Sequence, residues 1–255
     1  MHPASRRKRI GIITGSGPEA GIDMWSKLLQ ASRELQGAAF RGDLDAPAVT
    51  VHSEPALGLS MELDRNDEPV WKCLRETAIA IAARVDYYAI ACNTLNVYQP
   101  RLDALGLPAK FVSFADVVVD YLRQNGIARV ALLGARPVVE FGEWSHYRKL
   151  AEHVEVELPQ GRSAERLHQL IYDVKTHGGV APQLRPQFHA LLSELQAPAV
   201  LLACTELPLI PVGGSDTAGK QIIDVTALVA RRLAQLANGT DDTDGIGNIG
   251  GAARA

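Results

Sequence analysis

The feature that most constrains this chain is a pattern written twice. An apolar run ending in glycine, Ile12-Ile13-Thr14-Gly15, returns as Ala131-Leu132-Leu133-Gly134. A second apolar run breaks at a cysteine, Ala91-Cys92-Asn93-Thr94, and returns as Ala203-Cys204-Thr205-Glu206. Gly15 and Cys92 are 77 positions apart, and Gly134 and Cys204 are 70 apart. A chain that repeats its landmarks at such intervals is expected to fold as two similar lobes.

Between the landmarks, short Val- and Ile-rich runs alternate with longer helical patterns. Strands are expected at 10–14, 49–52, 87–91 and 110–112 in the first half. Helices follow from Pro18 and over 70–84, the latter burying Leu74, Ile79 and Ile81. In the second half the strands are 129–133, 153–157 and 199–202, and helices are expected around 141–152, 164–176 and 183–196. This alternation implies an α/β fold of two pseudo-symmetric lobes, each a parallel sheet covered by helices, with the active cleft between them. A last helix at 226–236 should pack back on the first lobe. The expected lobes are therefore 9–110 plus 224–238 and 111–223, preceded by a flexible basic tail (1–9) and followed by a disordered Gly- and Asp-rich tail (239–255).

The net charge of −3 supplies no global basic field for nucleic acid, and the cluster Arg6-Arg7-Lys8-Arg9 reads as a solvated terminus. No apolar stretch approaches the roughly 20 residues of a membrane span. The run 10–14 is too short for the core of a secretory signal. Three cysteines are too few and too odd for a disulfide framework and suit a reducing cytoplasm, where they would act as thiols.

Ligand sites in open parallel sheets form beyond the C-terminal ends of strands, where Cys92 and Cys204 both stand. Amides at such turns favour negative charge and are expected to lower a thiol pKa from about 8.5. Cys73 sits inside a helix with no counterpart and reads as structural. Two thiols across a cleft suit stereoinversion at a carbon acid, one removing a proton from one face while the other delivers one to the opposite face. Neighbouring Asn and Thr side chains and backbone amides can hold the substrate carboxylate and the enolate-like charge.

The loop Gly15-Ser16-Gly17-Pro18-Glu19-Ala20 also fits a dinucleotide fingerprint. Pro18 removes an N–H where a pyrophosphate needs one, and no acidic residue stands at the required distance, so a carboxylate at the helix start is the better match. The histidines form no metal-binding spacing, and no metal is expected. Arg65, Arg136 and Lys175 are candidates to neutralise a substrate carboxylate.

Together, residues 10–20, Ala91-Cys92-Asn93-Thr94, Ile171-Tyr172-Asp173-Val174-Lys175 and Ala203-Cys204-Thr205-Glu206-Leu207-Pro208-Leu209 resemble the signature segments of aspartate/glutamate racemases. The resemblance spans almost the whole chain. It implies racemisation of a small amino acid without pyridoxal phosphate or metal, with Cys92 and Cys204 as the two bases. It puts Asn93, Thr94 and Thr205 at the substrate, and Gly15, Ser16, Ser53 and Glu206 complete the expected binding set. Glu206 after Cys204-Thr205 is closer to the aspartate racemase pattern, so aspartate is expected ahead of glutamate. Family members are often dimers, and a homodimer is the implied assembly. Leu95-Asn96, Thr14 and Ala135-Arg136-Pro137 depart from the family pattern at substrate-shell positions. Two other readings stay open: a decarboxylase or cis–trans isomerase on the same scaffold, and a non-catalytic carboxylate-binding protein.

Overall fold

A computed structural model describes residues 7–213 and 217–239. Most of the two expected tails, 1–6 and 240–255, lies outside the described residues. Residues 7–9 are tied down: Arg7 pairs with Asp45 at 3.1 Å, Lys8 N–H donates to the Ala237 carbonyl, and Arg9 pairs with Asp86.

The first sheet contains β1 (Ile10–Thr14), β2 (Val49–Ser53), β3 (Tyr87–Ile90) and β4 (Lys110–Phe111), in the order β2-β1-β3-β4. The second contains β5 (Arg129–Gly134), β6 (Glu155–Glu157), β7 (Ala199–Ala203) and β8 (Gln221–Asp224), in the order β6-β5-β7-β8. Renumbered within each half, both orders are 2-1-3-4, and every pairing is parallel. The duplication in the sequence is thus a duplication of topology. All five residues of β1 and all five of β7 are buried, as central strands covered on both faces must be.

The helices are α1 (Pro18–Gln36), α2 (Leu63–Ala82), α3 (Gln99–Asp103), α4 (Phe114–Gln124), α5 (Arg136–Val139), α6 (Gly161–His177), α7 (Leu184–Glu194) and α8 (Val225–Asn238). One apolar cluster fills the outer side of the first sheet with Leu74, Ala78 and Ile81 of α2. Another fills the outer side of the second with α6 and α7. A third joins the two inner faces through α1, α4 and α8, and includes Tyr147. The last helix packs chiefly on α1. The lobes therefore share a continuous apolar middle layer.

Several expectations are corrected. Ile79 is 48% exposed. It lies five positions from Leu74, which at 100° per residue places it off the face shared by Leu74, Ala78 and Ile81. The helix expected over 141–152 is instead a 3-10 stretch at His146–Glu152, set apart from the short α5 before it by Phe141 at φ 58°. Helix α4 and strand β8 were not anticipated. The Ser113 hydroxyl caps α4, and the Asp224 carboxylate caps α8 at 3.0 Å.

Candidate active site

Both cysteines stand just past the ends of central strands. Cys204 directly follows β7, and Cys92 follows β3 after one further residue. After each, the backbone turns into short 3-10 stretches, Thr94–Tyr98 and Leu207–Leu209. The loop after β1 reaches in between them. Gly15 has φ 116°, and a Cβ there would come within 2.1 Å of the Glu54 carbonyl oxygen. Gly17 has φ 151°, and its Cβ would come within 2.1 Å of Glu206 Oε1. Glycine lets the loop lie against the backbone at Glu54 in its own half at Gly15, and against Glu206 of the other half at Gly17.

The two thiols are 8% and 5% exposed, Cys92 and Cys204 respectively. Cys92 Sγ lies 3.3 Å from Ser16 Oγ and 3.7 Å from Ser60 Oγ, and these two hydroxyls are 2.7 Å apart. Cys204 Sγ donates to Glu206 Oε2 at 2.9 Å, and the Thr205 hydroxyl reaches the same oxygen at 3.3 Å. Lys175 Nζ joins the two groups, contacting both Glu206 Oε1 and the Ser16 carbonyl. A run of polar contacts thus passes from Cys92 through Ser16, Lys175 and Glu206 to Cys204.

The expected lowering of the thiol pKa is reversed at Cys204. Burial, and then the Glu206 carboxylate, push it well above the ordinary thiol value, against the opposing pull of Lys175. A negative charge two residues away outweighs the turn amides. Burial opposes the charge on Lys175, but Glu206, Cys204 and Cys92 together raise its pKa above the usual lysine value. Lys175 is therefore held as an ammonium against Glu206 and the Ser16 carbonyl.

An open cleft of about 630 Å³ leads to this centre. It is lined by Gly15, Ser16, Gly17, Glu62, Tyr172, Lys175 and Glu206, among others, and the thiols lie behind that wall. The structure brings Gly15, Ser16, Asn93, Thr94, Thr205, Glu206 and Lys175 around the two cysteines. Asn93, Thr94 and Thr205 are all buried. Ser53 ends β2 exposed, and Arg65 is 78% exposed and pairs with its neighbour Asp64. Arg136 lies at the cleft rim, 3.9 Å from Glu62. Among the described residues, no three His, Cys, Asp or Glu side chains converge as a metal ion would require.

Sequence reasoning missed Ser60, Glu62 and Tyr147. Ser60 lies in a 3-10 stretch, Pro55–Glu62, that no apolar period announces. Tyr147 is buried far along the chain from Asn93, whose Oδ1 accepts its hydroxyl at 2.6 Å.

Two equally ordered parallel sheets, each with a buried thiol at an equivalent strand end behind the wall of one cleft, define a two-lobed α/β scaffold. A sequence profile of the family described as Asp/Glu/Hydantoin racemase matches residues 13–233. The Picrophilus torridus aspartate racemase superposes with a TM-score of 0.74 at 21% identity, over 91% of this chain and 94% of that one. An aspartate racemase homologue from Pyrococcus horikoshii OT3 gives 0.72 at 24% identity, over 90% and 99%. Glutamate racemase from Campylobacter jejuni subsp. jejuni gives 0.62 at 15%, over 89% and 85%. The chain belongs to the Asp/Glu/hydantoin racemase family and is an isomerase, an amino-acid racemase. No described helix is long and apolar enough to cross a membrane.

Proposed function

We propose that this racemase interconverts the L and D forms of an acidic amino acid, aspartate ahead of glutamate, by passing a proton between Cys92, the substrate Cα and Cys204. The observation that carries the reading is the polar run linking the two thiols, each at the end of an equivalent strand. The lobes that bracket the substrate are 9–110 with 224–238, and 111–223; the placement of α8 on α1 supports this division. The setting is cytoplasmic, the assembly a homodimer, and no cofactor is used.

The Lys175–Glu206 pair has the two charges that an amino-acid zwitterion needs in complement. On binding, the substrate ammonium replaces Lys175 beside Glu206, and a substrate carboxylate takes up Lys175. Cys92, as thiolate, removes the Cα proton, and the C–H electron pair moves into an enolate-like carboxylate. The Cys204 S–H then delivers its proton to the opposite face and becomes the thiolate. Protons balance, and the two sulfurs end with roles exchanged, ready for the reverse direction. The Cys204 thiol hydrogen-bonded to Glu206 is the acid of the empty enzyme. The hydroxyls of Ser16 and Ser60 are the donors that hold a Cys92 thiolate. Asn93, Thr94, Thr205 and the amides after Gly15 take the developing charge.

The test is deuterium incorporation at Cα from D₂O, without added cofactor, over a panel of amino acids. The reading expects aspartate to exchange fastest and glutamate second. Exchange of none of the panel would remove two-thiol racemisation from consideration. Exchange only of uncharged amino acids would remove the acidic substrate alone.

A further inference from the structure

Each polar residue that follows a cysteine is hydrogen-bonded to the opposite half of the molecule. The Thr205 hydroxyl donates to the Ala91 carbonyl at 3.3 Å. In the other direction, the Tyr147 hydroxyl donates to Asn93 Oδ1 at 2.6 Å. Tyr147 is 0% exposed and sits in the middle apolar layer, its ring 4.0 Å from that of His146. The turn that carries it is anchored by Ser145, whose hydroxyl donates to the Val138 carbonyl at 2.8 Å. Tyr147 is thus a rigid post, built by the second half, that reaches the residue beside Cys92 in the first.

The consequence lies on the other end of the amide. Asn93 is 2% exposed, and its Nδ2 has no hydrogen-bond partner. A separation of 2.6 Å suits an O–H···O bond and is short for N–H···O, so the carbonyl end belongs on the phenol. That orientation leaves two buried N–H donors with nothing to donate to. Such groups are costly and uncommon, and they call for a partner that arrives later. Beside a thiol at a strand end, that partner is an oxygen of the substrate carboxylate as it gains enolate character. Burial, followed by the nearby Cys204 sulfur, raises the Tyr147 hydroxyl far above its ordinary value, so the phenol keeps its proton throughout the working range.

We propose that Tyr147 is a positioning residue of this racemase: it clamps the Asn93 carbonyl so that Nδ2 is aimed at the carboxylate oxygen of the substrate next to Cys92. The proposal rests on the two-thiol reading for its chemistry, though not for its geometry. A clamp of this kind acts on the intermediate more than on the bound substrate, because the oxygen carries more charge there.

The test is Tyr147→Phe, which removes the hydroxyl and keeps the ring in the core. The expected result is a loss of about tenfold or more in kcat, with KM changed by less than about threefold. In an Asn93→Ala background the same change should cost less than about twofold, because the amide it would aim is gone. A merely structural role would lower activity by the same factor in both backgrounds, and that result, or an unchanged kcat, overturns the proposal. A second readout does not need turnover. In ¹⁵N-labelled protein the Asn93 side-chain amide, identified by its absence in Asn93→Ala, should give two proton signals whose positions shift in Tyr147→Phe. Identical amide signals in the two proteins overturn the proposal even if no amino acid is turned over. Turnover failing in the unmodified enzyme would instead count against the two-thiol chemistry.

Discussion

Cys92 and Cys204 occupy the same place in a repeated sheet, yet their neighbours differ in kind. Cys92 faces two hydroxyls, Ser16 and Ser60, from the half of the chain that carries it. Cys204 faces a carboxylate two residues along, and that carboxylate is held in turn by Lys175. Topology fixes where each sulfur sits, while the adjoining side chains decide its state. A hydroxyl can donate to a thiolate, whereas a carboxylate can only accept from a thiol. On the proposed mechanism the empty enzyme is polarised, with Cys204 donating to a carboxylate and Cys92 beside two hydroxyls that can donate to it.

The most severe way to break the comparison is to remove either sulfur. Cys92→Ser and Cys204→Ser should each lower racemisation by several orders of magnitude, since general acid–base groups contribute about 10²–10⁴ apiece. Optical rotation or chiral chromatography reads the loss. Near-wild-type turnover in both variants would end the account.

Glu206→Gln should remove the carboxylate that sets the surroundings of Cys204 apart from those of Cys92. Removing the carboxylate takes away a cause of the raised Cys204 pKa and leaves Lys175 without its partner. Activity should fall by about 10- to 100-fold, equivalent to one or two charge-assisted hydrogen bonds. Thiolate absorbance, measured in a Cys73→Ser, Cys92→Ser background, should show Cys204 titrating at lower pH than with Glu206 present. An unmoved midpoint would contradict the cause assigned here. Ser16→Ala, which strips one hydroxyl from Cys92, should cost only about tenfold, the worth of one hydrogen bond.

The polarised site should also mark the pH dependence of stability. Cys204 and Lys175 both have folded-state pKa values raised above their unfolded ones. The folded chain then holds more protons at alkaline pH, so their contribution is complete below about pH 9 and is lost as pH climbs further. His146 acts at the other end. Burial, with Lys149 adding to it, lowers its pKa to about 3 from 6.5, so stability is lost as pH falls through that window. Thermal midpoints across pH 3 to 11 should fall away at both ends, and Cys204→Ser should flatten the alkaline limb. Smallest of all is Cys73→Ser, expected within about twofold of wild-type activity, because that half-buried thiol in α2 has no part in the repeated motif.

How much of this was legible in the sequence differs between sheet and site. The strands Ile10–Thr14 and Arg129–Gly134 were readable because central parallel strands are unbroken apolar runs. Helix α4 was not, although Ser113 can cap it, because its three consecutive valines, 117–119, show no helical period and it lies in the stretch that joins the repeats. The helix expected over 141–152 failed because Phe141 takes a left-handed φ of 58°, which an apolar count does not register. At the site, the cysteines and Glu206 stood in short recognisable motifs. The link from Lys175 to Glu206 spans 31 positions and that from Tyr147 to Asn93 spans 54, so only folding brings each pair together.

The central claim is that two sulfurs serve opposite faces of one carbon. It is tested most directly by starting racemisation of unlabelled L-aspartate in D₂O and examining both enantiomers early, before ten per cent or so has turned over. Two-sided transfer predicts deuterium at Cα in nearly every D-aspartate molecule formed and almost none in the remaining L-aspartate. Deuterium appearing equally in the recovered L-aspartate, or D-aspartate that keeps the original proton, would mean that one group handles both faces, and the account would be wrong.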